Sequence, residues 1–290
     1  MFKVFAFLKR NARLTHDEYR AAHVGYHCGI SRRLRGIRGY TVNIWANAPL
    51  VPRLGSLAGD VVRAEPPGFL DLWDGFPSVL FDSREAWVSA RDAEPTRAMA
   101  SGLGIDPDWT YGHGMHVFDG IAGRPGEFRS HHLRMIEHIV LPVERPECKL
   151  TKLVLFFRRR PTLDEWHFQR RVLTDYAALT ARLPGLYGCI LNFRDADTEA
   201  AFRGYFPEQG WWNSNEGRRL RQDFCALWDG AMEMHFDSVA AFVAARRSAA
   251  LHPQLCALES ELFDAHWYVE VDENVIVMPN RDPAPAFYYR

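Results

Sequence analysis

The sequence predicts an α+β protein built from two ferredoxin-like β-α-β-β-α-β units packed sheet to sheet, and three observations carry that expectation. The first is an internal repeat, which decides architecture before any single motif does. Leu72-Trp73-Asp74-Gly75 leading to Phe81-Asp82-Ser83 returns as Leu227-Trp228-Asp229-Gly230 leading to Phe236-Asp237-Ser238, at a constant offset of 155 residues, as from Trp73 to Trp228. The second is an upstream extension at an offset of 149. There Val4, Phe7, Gly36, Gly39 and Asn43 stand opposite Leu153, Phe156, Gly185, Gly188 and Asn192. The change of offset places a short insertion in the second copy between Asn192 and Phe224. The third is the order of elements, which is the same in both copies.

Each copy opens on a short apolar run, Phe2 to Leu8 or Leu153 to Phe157, whose length and aromatic or β-branched content suit a strand. Thr15-His16-Asp17-Glu18 has the form of a capping box, in which a Thr hydroxyl and a Glu carboxylate satisfy free N–H groups at a helix start. A helix over residues 16–34 follows, and Gly36 and Gly185 fall where helices end in a left-handed conformation. Tyr40 to Trp45, or Cys189 to Phe193, forms a second strand, and the chain around Ser78 to Phe81, or Met232 to Phe236, forms a third. Asp82-Ser83 and Asp237-Ser238 cap a second helix, Arg84 to Ala90 or Val239 to Arg247. A last strand, Met135 to Leu141 or Val271 to Met278, completes the split arrangement. Such a sheet carries helices on one face only, so two copies cover each other by packing sheet against sheet. The domains are residues 1–143 and 149–280, joined by the proline- and charge-bearing Val143-Glu144-Arg145-Pro146-Glu147.

Composition is that of an ordinary globular protein, with 47% hydrophobic and 24% charged residues. A net charge of −1 supplies no electrostatic footprint for nucleic acid or an anionic membrane. No stretch approaches the roughly 20 apolar residues of a membrane helix. Five cysteines without CxxC pairs, and an N-terminus that enters a strand at once, point to reduced thiols and a cytoplasmic location. Phosphate loops, dinucleotide fingerprints and Gly-x-Ser-x-Gly elbows are missing, which sets aside nucleotide-dependent and α/β-hydrolase chemistry.

The run Leu14-Thr15-His16-Asp17-Glu18-Tyr19-Arg20, with His27-Cys28-Gly29-Ile30, Arg35-Gly36-Ile37, the Asp74-Gly75 to Phe81-Asp82-Ser83 block and Glu137-His138-Ile139-Val140, resembles the EthD-like family of dimeric α+β barrels. The second copy resembles it through Pro184-Gly185-Leu186 and Asp229-Gly230 to Phe236-Asp237-Ser238. The likeness spans most of the chain outside residues 46–68, 91–127 and 197–222. It implies an intramolecular dimeric α+β barrel, with a lyase, isomerase or cyclase activity that needs no cofactor. It also implies an acid/base role for His27, which matches the family's helix histidine. His23 departs from the family pattern, where an aromatic residue is commoner.

On the first helix Tyr19, His23, His27, Ile30 and Leu34 recur at three- and four-residue steps, so the two histidines share the stripe that faces the sheet. An inward histidine is either a proton shuttle near neutral pH or a core residue bonded to backbone. Its spacing also suits a metal pair, but Val24 stands where HExxH has its glutamate and no third ligand is evident, so no metal is assigned. Haem is likewise selected by no sequence feature. The second copy has Val172 and Tyr176 at these positions, which leaves one copy equipped for acid/base work. Asn43 and Asn192, inside apolar strands, either polarise a substrate carbonyl or tie down backbone. Trp109-Thr110-Tyr111-Gly112-His113 and Trp211-Trp212 concentrate rings in irregular segments that suit a lid over a flat ligand or a subunit contact.

The expected site therefore has His27, His23, Tyr40, Asn43 and His138 as catalytic candidates, and Tyr19, Trp109, Tyr111, Tyr176 and Asn192 as substrate-binding ones. The expected partner is a small aromatic or lactone-like catabolic intermediate, not nucleic acid or membrane, and the fused pair can associate further as a homodimer. The competing readings are a carrier that holds such a molecule unchanged and a metal- or haem-dependent enzyme.

Overall fold

Among the described residues eight strands organise the chain: β1 (Phe2–Leu8), β2 (Gly39–Trp45), β3 (Gly75–Phe81), β4 (Ser130–Leu141), β5 (Thr151–Arg159), β6 (Gly188–Arg194), β7 (Gly230–Phe236) and β8 (Phe263–Val277). The computed structural model describes residues 1–32, 34–92, 117–119, 129–202 and 210–280. The strands hydrogen-bond in the order β1-β3-β2-β8-β5-β7-β6-β4, all neighbours antiparallel, and β4 returns to β1 to close the barrel.

This corrects the expected fold class of two ferredoxin-like units packed sheet to sheet as a dimeric α+β barrel. The strands form one closed antiparallel barrel rather than two stacked sheets. The cause lies in β4 and β8, which are 12 and 15 residues long. Each pairs on one side within its own repeat, β4 with β1 and β8 with β5, and on the other with the opposite repeat, β4 with β6 and β8 with β2. Closure leaves no unpaired edge among the described strands. The expected strands start only at Met135 and Val271, past the polar His131, His132 and Arg134 and past Asp264 and His266.

Helices cover the outside. Helix α1 comprises His16–Ala22, one π turn over His23–His27 and a last α turn, Cys28–Ser31. Tyr19 and Cys28 pack there against the outward residues Tyr40, Val42 and Ile44 of β2. Helix α2 (Arg84–Asp92) follows β3. Helix α3 comprises Glu165–Arg171, a π turn over Val172–Tyr176 and Ala177–Thr180. Its Phe168, Val172 and Tyr176 pack on outward residues of β5 and β6. The capping box forms as expected, with Thr15 accepting from the Glu18 N–H and Glu18 accepting from the Thr15 N–H. Gly36 and Gly185 are left-handed, with φ of 77° and 74°.

The repeated motif has a structural meaning at each position. Asp74 accepts from the backbone N–H of Arg10 at 2.9 Å and Asp229 from that of Arg159 at 2.7 Å, so each ties off the end of its neighbouring strand. Gly75 leaves room for the carbonyl oxygen of Asn43, which a Cβ would approach to 2.1 Å. Ser83 and Ser238 each accept, at 3.1 Å, from the N–H three residues on, Ala86 and Ala241, and so cap the following helices.

Strand alternation divides inward side chains by type along the barrel axis. At one end Phe5, Phe7, Trp45, Trp73, Phe76, Phe156, Trp228 and Trp267 fill the interior. Phe69, from the helical turn Phe69–Leu72, and Phe224, from helix α4 (Asn215–Cys225), close that end. Ring centroids lie 4.8 Å apart for Phe7 and Phe224 and 4.9 Å for Phe69 and Trp267, both edge to face, the arrangement favoured by ring quadrupoles. At the other end the inward residues include the charged Lys3, Glu137, Lys152, Glu233 and Glu273.

Candidate functional site

The charged end is assembled from the inward positions of strands from both repeats. Lys3 on β1 donates to Glu137 on β4 at 2.7 Å and to Glu233 on β7 at 2.8 Å. Lys152 on β5, the counterpart of Lys3, donates to Glu273 on β8 and to the Asn43 amide oxygen, each at 2.9 Å, and pairs closely with Glu233. Asn192 donates to Glu233 at 2.8 Å, and Arg145 reaches in from the segment joining the repeats to Glu273 at 2.6 Å. A ring nitrogen of His235 approaches Glu273 at 3.4 Å.

Glu233, Glu273 and Lys152 are held in their ionised forms. Burial opposes ionisation of Glu233, but Lys152 and then Lys3 outweigh it and hold the carboxyl well below the usual range. The same contest, won chiefly by Lys152, lowers Glu273. Burial disfavours the Lys152 ammonium, and the attraction of Glu233 and Glu273 overcomes it and raises the pKa. The network thus supplies fixed charges and dipoles rather than easily exchanged protons.

A cavity of about 290 Å³ enters the barrel at this end. Its polar wall contains Lys3, Thr41, Ser78, Glu233 and Glu273; Leu80, Ile139 and Ile190 are among the apolar residues opposite. The chain leaving β4 and the chain leaving β8 frame the mouth. Each lies so close to a glycine that a Cβ would collide with it: Val143 against Gly188, and Pro279 against Gly39.

The expected site residues fall into separate places. Asn43 and Asn192 lie inside the barrel within the ionic network. Tyr19, His23, His27 and Tyr40 lie in the layer between α1 and the barrel wall. His23 is fully buried, with Nδ1 3.0 Å from the Tyr19 hydroxyl, and its Nε2 has no partner among the described residues. Burial, and then the neighbouring His27, keep His23 well below the ordinary histidine pKa. The His27 Nε2 is 3.1 Å from the Ser31 hydroxyl, and its ring meets Phe118 edge-on at 4.8 Å. Burial raises the Tyr40 phenol, which accepts from the Cys28 thiol at 3.4 Å. None of these four residues lines the cavity.

Tyr176 occupies the equivalent layer of the second repeat, where its hydroxyl donates to Glu259 at 2.8 Å. Glu259, on helix α6 (His252–Leu262), pairs at 2.9 Å with Arg246, on helix α5 (Val239–Arg246), and both are almost wholly buried. His138 points outward from β4 with its ring edge toward Phe193, and burial lowers its pKa. Trp109 and Tyr111 lie outside the described residues. Among the described residues no group of three His, Cys, Asp or Glu side chains is placed to hold a metal ion, and no helix is long and apolar enough to cross a membrane.

Of these network residues Glu137 stands out in the sequence beside His138, whereas no local motif marks Lys3, Lys152, Glu233 or Glu273. A signal exists, however: Lys3 and Lys152 obey the offset of 149, and Glu137 and Glu273 fall at matching places in β4 and β8. Charges that recur in phase with inward apolar residues mark an ionic core rather than a surface.

No family model and no curated protein matches the sequence. Among solved structures, the fold is similar to that of a "putative monooxygenase" of Fusobacterium nucleatum subsp. nucleatum, at 8% identity and a TM-score of 0.51, over 100% of this chain and 97% of that one. A protein of the same description from Lactobacillus acidophilus aligns at 8% identity and a TM-score of 0.49, covering 96% of each chain. An anthrone oxidase-like protein aligns at 9% identity and a TM-score of 0.46, covering 95% of this chain and 92% of the other. At these identities the likeness speaks to fold alone.

Proposed function

We propose that this protein is an enzyme that binds a small molecule in the polar end of the barrel and catalyses proton transfer on it, as a lyase, isomerase or cyclase. The observation that carries this reading is the cavity of about 290 Å³ that descends to Lys3, Ser78 and Glu233. Concave sites with apolar walls and a few convergent polar groups are where small ligands bind. A substrate oxygen next to the Lys3 ammonium and the Ser78 hydroxyl would meet preorganised donors, which stabilise an enolate or alkoxide as its charge develops. Glu137 and the strongly ionised Glu233 hold the Lys3 ammonium in place, and the cavity opening leaves the migrating proton access to water.

The histidine pair supports this chemistry less well. Its π turn recurs over Val172–Tyr176 in a repeat that lacks the histidines, so the turn is inherited scaffold rather than a mark of the pair's chemistry. Neither imidazole lines the cavity.

The test is turnover of a panel of small aromatic ketones, phenols and lactones, followed by mass spectrometry under air and under argon. Conversion by the wild type under both gases that is lost in a folded Ser78→Leu variant supports the reading. Conversion that needs oxygen overturns the reaction class. Conversion retained by Ser78→Leu and lost in His27→Ala moves the site to the α1 layer, and binding without conversion of any panel member makes the protein a carrier.

A further inference from the structure

Lys3 and Lys152 are counterparts in the repeat, yet their hydrogen bonding differs. An ammonium has three donors. Lys152 directs all three at partners: Glu233, Glu273 and the carbonyl oxygen of the Asn43 amide. Lys3 directs two at Glu137 and Glu233. Its third has no oxygen or nitrogen acceptor among the described residues, the ammonium otherwise lying 5.2 Å from the Phe5 ring centroid, although Lys3 is only 2% exposed and lines the cavity. Asn192, the counterpart of Asn43, has its amide N–H turned toward Glu233, and its carbonyl oxygen is buried without a partner among the described residues.

One substitution between the repeats accounts for both vacant bonds. Ser78 stands at the inward position of β3 that Glu233 holds on β7, at the same offset of 155 as Trp73 and Trp228. With no carboxylate on the Ser78 side, Glu233 reaches across to Lys3 and draws Asn192 with it. The cavity occupies the room beside Ser78 that a second glutamate would fill.

Charge then selects the ligand. Lys3, Lys152 and Arg145 face Glu137, Glu233 and Glu273, so three cations already balance three carboxylates. An anion would add a fourth negative charge beside Glu233 with no unmatched cation to receive it. A neutral oxygen instead completes Lys3 in the way that the Asn43 amide completes Lys152. Resting on the reading that this cavity is the substrate site, we infer that it takes an uncharged molecule whose carbonyl oxygen accepts from Lys3 and Ser78 and whose apolar body lies against Leu80, Ile139 and Ile190.

Calorimetric titration with an isosteric pair, 1-naphthamide and 1-naphthoate, tests this on the wild type and on Ser78→Leu and Leu80→Trp, each first shown by thermal melting to fold. The expected result is naphthamide binding at least about tenfold tighter than naphthoate, a difference of about 1.4 kcal/mol, and lost in both variants. Naphthoate binding equally or more tightly, and lost in the variants, overturns the choice of an uncharged ligand while leaving the cavity as the site. Naphthamide binding that persists in both folded variants overturns the cavity as the site and the inference with it. Failure of both ligands to bind the wild type overturns the ligand class, and the substrate panel then judges the cavity independently.

Discussion

Lys3 and Lys152, related by the repeat, donate to the same carboxylate, Glu233, from opposite halves of the barrel. Glu233 is thus the joint between the two repeats inside the closed sheet, and the pair of lysines depends on it for charge compensation. Breaking a buried ion pair by removing one partner leaves an uncompensated charge and costs about 3–5 kcal/mol. Glu233→Ala should therefore destabilise the protein by at least that much, measured as the shift in urea unfolding free energy at pH 7. A cost below about 1 kcal/mol, the worth of an exposed pair, would contradict the burial of the network.

Acid should weaken the fold in two stages. His23 and His131 are buried with lowered pKa values, His131 to about 3, chiefly through desolvation. The unfolded chain binds their protons first, so their contribution is complete above the ordinary histidine pKa of 6.5 and is lost as the pH falls from there toward the folded values. Glu233 and Glu273 are lowered by their lysines, so their contribution is complete above the ordinary glutamate pKa of 4.5 and is lost below it. Unfolding free energies measured from pH 7.5 to pH 3 should decline throughout. Replacing His131 by Phe should flatten the upper part of that decline and leave the lower part.

The Tyr176 hydroxyl serves a charged acceptor, Glu259, in the dry layer beneath α3. Hydrogen bonds to charged groups contribute about 1.5–3 kcal/mol, so Tyr176→Phe should lower stability by that amount. Turnover by the folded variant should be unchanged, because Tyr176 is remote from the cavity lining. A kinetic defect in a fully folded Tyr176→Phe protein would place chemistry in the second repeat's helix layer.

Gly75 illustrates a repeat position retained for space. A methyl group there would meet the Asn43 carbonyl at 2.1 Å, so Gly75→Ala must push β2 and β3 apart. Overpacking of this kind costs about 1–3 kcal/mol, and thermal melting should show the loss. The displacement also falls on Asn43, which holds Lys152.

Much of this molecule is legible from residue patterns alone. The capping box at Thr15, the left-handed Gly36 and Gly185, and the serine caps at Ser83 and Ser238 are local signals, and they sit where local chemistry puts them. Closure was not legible, because it depends on β4 and β8 continuing through His131, His132, Asp264 and His266, which look like loop residues until a second strand pairs with them. Asn43 and Asn192 stood out as amides within apolar strands. Their lysine and glutamate partners did not, since a lone Lys near a strand start reads as surface until the sheet curls around it.

The aromatic plug at the other end has a kinetic meaning. Among the described residues Phe69 and Phe224 give the barrel a floor, so its interior is a blind well rather than a tunnel. Whatever enters past Val143 and Pro279 must leave past them too. Arrival and departure then compete for one doorway, and a spent molecule still in the well keeps the next one waiting outside.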